Sequence, residues 1–205
     1  MMKNTFRFLV GLLFGTQLVL AETHINAEQA DKDFRLAVKS IENKRYNEAV
    51  KIFSELASEE IPEAQFNLAL LLFNGLGVPK NYKDALFWAW KARLNNHETA
   101  QQQVNQIIDI ITPELQTTVA EQIIAELDAL ARTGDEQASL KLGITFIELL
   151  VEPNYPSAYV RLSIARAYGI EEASALLTEV SDLIAIEEIL VQQEEASKLF
   201  SQINN

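Results

Sequence analysis

The chain is written twice over part of its length, and a sequence that repeats itself at this period folds as a stack of similar units rather than around one closed core. Residues 64–92 read AQFNLALLLFNGLGVPKNYKDALFWAWKA, and residues 138–167 return the same order in weakened form as ASLKLGITFIELLVEPNYPSAYVRLSIARA. Ala64, Leu68 and Ala69 answer to Ala138, Leu142 and Gly143 at an offset of 74; after a one-residue deletion, Asn81, Tyr82 and Ala85 answer to Asn154, Tyr155 and Ala158 at 73. The similarity runs on, fading, to Leu127 and Phe200. Stacked repeats expose an extended surface, so the mode of action this order implies is binding.

Lys3 and Arg7 precede an apolar run, Phe8–Leu20, that small residues close, which is the pattern of a secretory signal. Residues 1–21 are therefore expected to be a leader, cleaved after Ala21. The competing reading is an uncleaved N-terminal anchor, against which the run is short of the roughly 20 apolar residues that a membrane-crossing helix needs. The expected destination is the periplasm or the medium, with no membrane insertion once the leader is gone. Without it, 15 Lys and Arg stand against 29 Asp and Glu, and the resulting negative charge disfavours nucleic acid and anionic lipid as partners. There is no cysteine, so packing alone must hold the fold.

Helical periodicity fills the remainder. Ala27–Asn43 and Tyr46–Ser58 carry apolar residues at spacings of three and four and predict a first hairpin. Pro62 opens the next helix and Asn74-Gly75-Leu76-Gly77 ends it, with two glycines free to take positive φ in the reversal. A helix from Tyr82 to Leu94 follows, in which Ala85, Trp88 and Ala92 share a face. Trp90, about 200° round from Trp88, is expected to be exposed. Thr112 and Pro113 begin a further helix after one at 98–111, Gly134 separates two more, and Pro156 and Gly169 bracket another. Ten helices in about five hairpins are expected, an all-α right-handed solenoid.

The order Ala64, Leu68, Ala69, Gly75, Gly77, Val78, Tyr82, Ala85, Trp88, Ala92 resembles the Sel-1-like repeats, tetratricopeptide-type hairpins with a longer, glycine-containing loop. Only Ala69 departs from the family's pattern. The second copy has Leu149 and Val151 where the glycines belong and Arg161 in place of the tryptophan, so its loop must close differently. The resemblance divides residues 22–205, as one solenoid domain, into a tetratricopeptide-like hairpin at 31–58, a repeat at 61–98, a helical pair at 98–131, a degenerate repeat at 135–171 and a C-terminal pair at 171–203. It implies a scaffold that binds another protein of a bacterial-type envelope, without catalytic residues. By analogy with related folds, Glu63, Phe66, Leu70, Phe73 and Asn74, with Gln137, Leu140, Ile144 and Glu148, would line the inner groove unless the apolar ones are buried; Trp90 and Arg161 complete the expected partner-binding set.

Catalytic and metal-binding patterns are not legible. His24 and His97 are too few and too far apart for a histidine metal site, and no nucleophile motif or phosphate-cradling loop occurs, so neither metal nor cofactor is expected. Glu171-Glu172, Glu187-Glu188 and Glu194-Glu195 are neighbours that diverge by about 100° on a helix. Two alternatives to the adaptor stay open: a glycan or peptidoglycan binder stacking sugars on Trp90 and Tyr168, and a carboxylate-based hydrolase of wall polymers, which needs two facing carboxylates in a cleft.

Overall fold

The structure, a computed structural model, describes residues 26–204, so the expected leader lies outside it. Ten helices and no strand occur among these residues: α1 (Ala27–Glu42), α2 (Tyr46–Ser58), α3 (Pro62–Asn74), α4 (Tyr82–Leu94), α5 (Ala100–Ile108), α6 (Pro113–Arg132), α7 (Glu136–Glu148), α8 (Tyr155–Ala167), α9 (Glu172–Ser181) and α10 (Ile186–Ile203). The capping signals work as their chemistry requires. The side chains of Asn81, Thr112, Asp135 and Asn154 accept from the backbone N–H three residues on, and Gly134 and Gly169 follow their helices at positive φ. No described helix is long and apolar enough to cross a membrane.

The helices pack serially, mostly against helices near them in the chain, as a solenoid does. α1/α2, α3/α4 and α7/α8 form antiparallel hairpins, and α2 lies on α3. The other two pairs split. α5 packs on α4 while α6 reaches to α4 and α7; α9 and α10 both rest on α8 rather than chiefly on one another. One apolar core runs from Ala37 to Val180, and most of α10 attaches through a separate small cluster of Val160, Ile164 and Ala196.

The loop of the first copy is built around Gly77. Its φ is +80°, and a Cβ added there would lie 2.4 Å from the backbone carbonyl carbon of Tyr46 and 2.6 Å from the nitrogen of Asn47. The loop therefore presses its backbone onto the start of α2, and no side chain fits between. The second copy closes without left-handed residues: Leu149 ends α7 at φ −98° and is buried, its carbonyl accepting from Gln116 Nε2 at 2.8 Å. One closing bond is common to both loops, Asn81 N–H to the Leu72 carbonyl (N···O 3.1 Å) and Asn154 N–H to that of Phe146 (2.9 Å).

Helix crossings trade volume between copies. A Cβ on Gly143 would meet Leu162 Cδ2 at 2.6 Å, so α7 and α8 meet with a glycine beneath a leucine. At the equivalent places the first copy has Ala69 and Ala89, both fully buried. One side of the crossing shrinks where the other grows, which keeps the helices at a similar approach.

Gly134 has φ +89° with open space around it, and so isolates the conformational cost of a side chain from the steric one. Gly77→Ala is expected to lower stability by about 1–3 kcal/mol more than Gly134→Ala, as overpacking costs elsewhere, measured by urea denaturation. Equal losses would mean that the loop does not press on α2.

Candidate functional site

The two copies meet at the end of α4. Ala85, Leu86, Ala89, Trp90, Ala92 and Leu94 are buried, an arc of about 200° at 100° per residue, because α3 covers one side of α4 and α5, α6 and α7 approach the other. This wide arc takes in Trp90, which is fully buried and donates its indole N–H to Thr145 Oγ1 of α7 at 3.1 Å. The expectation of an exposed Trp90 is thereby corrected: a single-stripe reading suits a helix covered on one side, and α4 is covered on two. Trp88 sits at the edge of the arc, half-buried, edge-on to Phe87, with Lys91 Nζ 5.6 and 5.9 Å from the two ring centres.

Next to Trp90 a polar cluster gathers side chains from five segments. Buried Gln65 donates to the Ala57 carbonyl and accepts from Asn95 Nδ2 at 3.0 Å; Asn95 Oδ1 in turn accepts from Lys141 Nζ at 2.7 Å. Lys141 and Lys91 both lie on Glu60, at 3.7 and 3.5 Å, and Lys91 also faces Glu126 at 3.7 Å. Glu60 holds this place from a left-handed backbone, φ +60°, rare for a residue with a side chain. The four charges rim a cavity of about 30 Å³ whose apolar lining is Leu94, Ile123, Leu127 and Leu130. Beside it Arg93 grips Glu148 with one nitrogen on both carboxylate oxygens, at 3.1 and 3.2 Å.

Glu60 and Glu126 share the Lys91 ammonium, at 3.5 and 3.7 Å, which brings two carboxylates to one cavity, the arrangement a hydrolase would need. The cavity between Glu60 and Glu126 nevertheless admits a water rather than a sugar ring, and Lys91 lies between them. No group of three His, Asp or Glu side chains among the described residues could hold a metal ion.

The sequence-expected binding residues are dispersed. Glu63 and Gln137 are exposed; Glu63 rims a shallow groove with Ala30, Asp31, Phe34 and Ile61. Asn74 is exposed and donates back to the Leu70 carbonyl. Phe66 is half-buried and stacks on His97, ring centres 4.1 Å apart, and Phe73 packs on Tyr82. Leu140 and Ile144 are buried between helices, the burial expected as the alternative to the groove for the apolar members. Arg161 is corrected too. Its side chain is 12% exposed and pairs with Asp128 of α6, an internal ion pair rather than a free contact. Burial pushes its pKa below the usual guanidinium value, against the pull of Asp128. Tyr168 packs on Phe200 and its hydroxyl accepts from Asn204. With Trp90 buried, the glycan reading loses one of its two stacking platforms.

Sequence reasoning missed Lys91, Lys141, Asn95, Glu60 and Glu126. One signal was present: Lys141 interrupts the apolar stretch between Leu140 and Leu142, where the first copy has Asn67.

The sequence pattern of the Sel1 repeat matches residues 62–97, the span of α3, the glycine loop and α4 up to His97. Residues 62–97 are thus a Sel1 repeat. Sel1 repeats generally mediate protein–protein interaction and are typically non-catalytic. Two solved structures are similar to the chain. One is a protective antigen of uropathogenic Escherichia coli strains displaying an SLR fold, at 21% identity over 86% of this chain and 30% of that one, TM-score 0.37. The other is a Sel1 repeat protein from Oxalobacter formigenes, at 20% identity over 66% of this chain and 49% of that one, TM-score 0.26. The chain thus spans less than half of either. No curated protein matches it.

Trp90→Ala is expected to cost about 3–5 kcal/mol, as deletion of a buried aromatic does, and Trp88→Ala less than half as much. Thermal or urea unfolding of the two variants decides; a costlier Trp88→Ala would reinstate the single-stripe register. Asp128→Ala, which strands the Arg161 charge, is expected to cost about 2–4 kcal/mol, whereas Asp31→Ala, whose partner Arg35 is exposed, is expected to cost less than about 1 kcal/mol.

Proposed function

We propose that this chain is an exported, non-catalytic scaffold of the periplasm or the extracellular medium that holds a protein partner of a bacterial-type envelope against the face around Glu60, Lys91, Glu126 and Lys141. The observation that carries this reading is the convergence of two cations and two carboxylates from four segments over an apolar floor, with half of each carboxylate side chain still open to solvent. Alternating charges of this kind select a partner by complementarity and steer its approach, while Leu130, 45% exposed beside the cavity, supplies an apolar contact. The leader at 1–21 supports export, and the net negative charge supports a protein partner over nucleic acid.

A photo-reactive residue in place of Leu130 tests the partner, by cross-linking in intact cells and mass spectrometry. The expected outcome is a reproducible adduct with one envelope protein, weakened several-fold by Lys91→Glu with Lys141→Glu. Recovery of the chain alone would count against the scaffold. Export has its own check: the protein from the periplasmic or extracellular fraction is expected to begin at Glu22, and deletion of residues 1–21 is expected to leave it in the cytoplasm.

A further inference from the structure

The second copy keeps a space that the first copy fills. The offset that pairs Leu127 with Phe200 also sets Ser163 and Ala167 of α8 and Ala196 of α10 where the first copy has Trp90, Leu94 and Ile123, all three buried. Three large apolar side chains thus become a serine and two alanines at one place, and a cavity of about 440 Å³ lies there between α8, α9 and α10. Unlike the crossing at Gly143, where Leu162 takes up the lost volume, this one leaves volume free. Its floor is Ile164, Leu177 and Ala196, each buried, with the ring of Phe200 beside them. An apolar floor under a few polar groups, at this size, suits a small molecule.

The polar lining says what fits it. Tyr159, Ser163 and Arg166 stand at i, i+4 and i+7 on α8, within a sector of about 60°, so three donor side chains share one wall. The Tyr159 hydroxyl accepts from Gln193 Nε2 at 3.2 Å and keeps its own hydrogen for an acceptor; the Ser163 hydroxyl and the Arg166 guanidinium have no partner among the described residues. Arg93, which holds the place of Arg166 in the first copy, grips Glu148. No carboxylate lines the cavity, although the chain has 29 acidic residues against 17 basic ones. We infer that this cavity binds a small aromatic carboxylic acid, with its ring in the space that the Trp90 indole takes in the first copy and its carboxylate on Arg166, as Glu148 lies on Arg93. One such molecule supplies both the apolar ring and the charge-assisted hydrogen bonds that two side chains supply in the first copy. A partner helix does not fit, since a helix 10 Å across takes up about 420 Å³ per turn and the cavity holds about one turn. The inference goes beyond the scaffold reading and does not depend on the Lys91 cluster.

Isothermal calorimetry of the protein as isolated from cells tests this with two probes, indole-3-propionate and indole-3-propionamide, which share ring and reach and differ in charge. The acid is expected to bind at least about fivefold more tightly than the amide, the preference of a guanidinium for an ionised acceptor. Arg166→Gln, at an exposed position, is expected to bring the acid down to the level of the amide and leave the amide unchanged. Ser163→Trp, which restores the residue of the first copy, is expected to weaken both probes at least about tenfold by filling the cavity, with helical circular dichroism unchanged. Ser163→Leu, a smaller filler, carries the same expectation and covers a loss of folding by the larger one. Undiminished binding by the Ser163 variants, equal affinity for acid and amide, or no saturable heat with either probe would overturn the inference and leave the scaffold reading, tested separately at Leu130, standing. So would binding of the peptide acetyl-Trp-Gly-Glu-amide at least about tenfold more tightly than the acid, which makes the occupant a segment of a partner protein.

Discussion

The burial of Trp90 is the constraint on which the arrangement depends. One side chain fills the space where α4 of the first copy meets α7 of the second, and its N–H finds Thr145, whose own hydroxyl hydrogen goes to the Lys141 carbonyl. An indole buried without that acceptor would carry an unsatisfied donor into the core. The bond therefore fixes how the second copy sits on the first. Arg93 with Glu148 and Asn95 with Lys141 continue the same seam toward solvent. The polar cluster is thus the solvent-side end of the contact that joins the copies, and its geometry is inherited from the stacking.

Divergence between the copies is compensated rather than loose. Glycine leaves the second loop and a buried leucine plugs it; the crossing that has two alanines in one copy has glycine under leucine in the other. Arg161 stands where Trp88 does in the first copy, and the two positions solve the same problem differently. Trp88 lies half-covered under Lys91, whereas Arg161 reaches across to Asp128 of α6. The ion pair holds α8 to α6 at a place where the first copy relies on aromatic and cation contacts.

Much of the fold was legible because its signals are local. Pro62, Pro113, Gly134 and Gly169 mark helix ends by backbone chemistry that needs no tertiary context. The number of helices and the deletion in the second loop follow from the repeated order. What was not legible depends on which helix covers which. Trp88 and Trp90 differ by two positions, and only the second layer of helices over α4 decides that Trp90 is the buried one. The same holds for Leu140 and Ile144, which an isolated hairpin would expose and the stack covers. The cluster at Glu60, Lys91, Glu126 and Lys141 joins residues far apart in sequence that no spacing connects.

A double-mutant cycle between Trp90 and Thr145 tests most directly whether the seam joins the copies. Trp90→Phe removes the donor together with part of the ring volume and Thr145→Val the acceptor at nearly constant volume; urea unfolding of the two single variants and the double gives the coupling, with the volume cost subtracted by the cycle. The bond requires a coupling of about 0.5–1.5 kcal/mol, the net worth of a neutral hydrogen bond. Losses that add to within about 0.3 kcal/mol would mean that the two copies are not held together here.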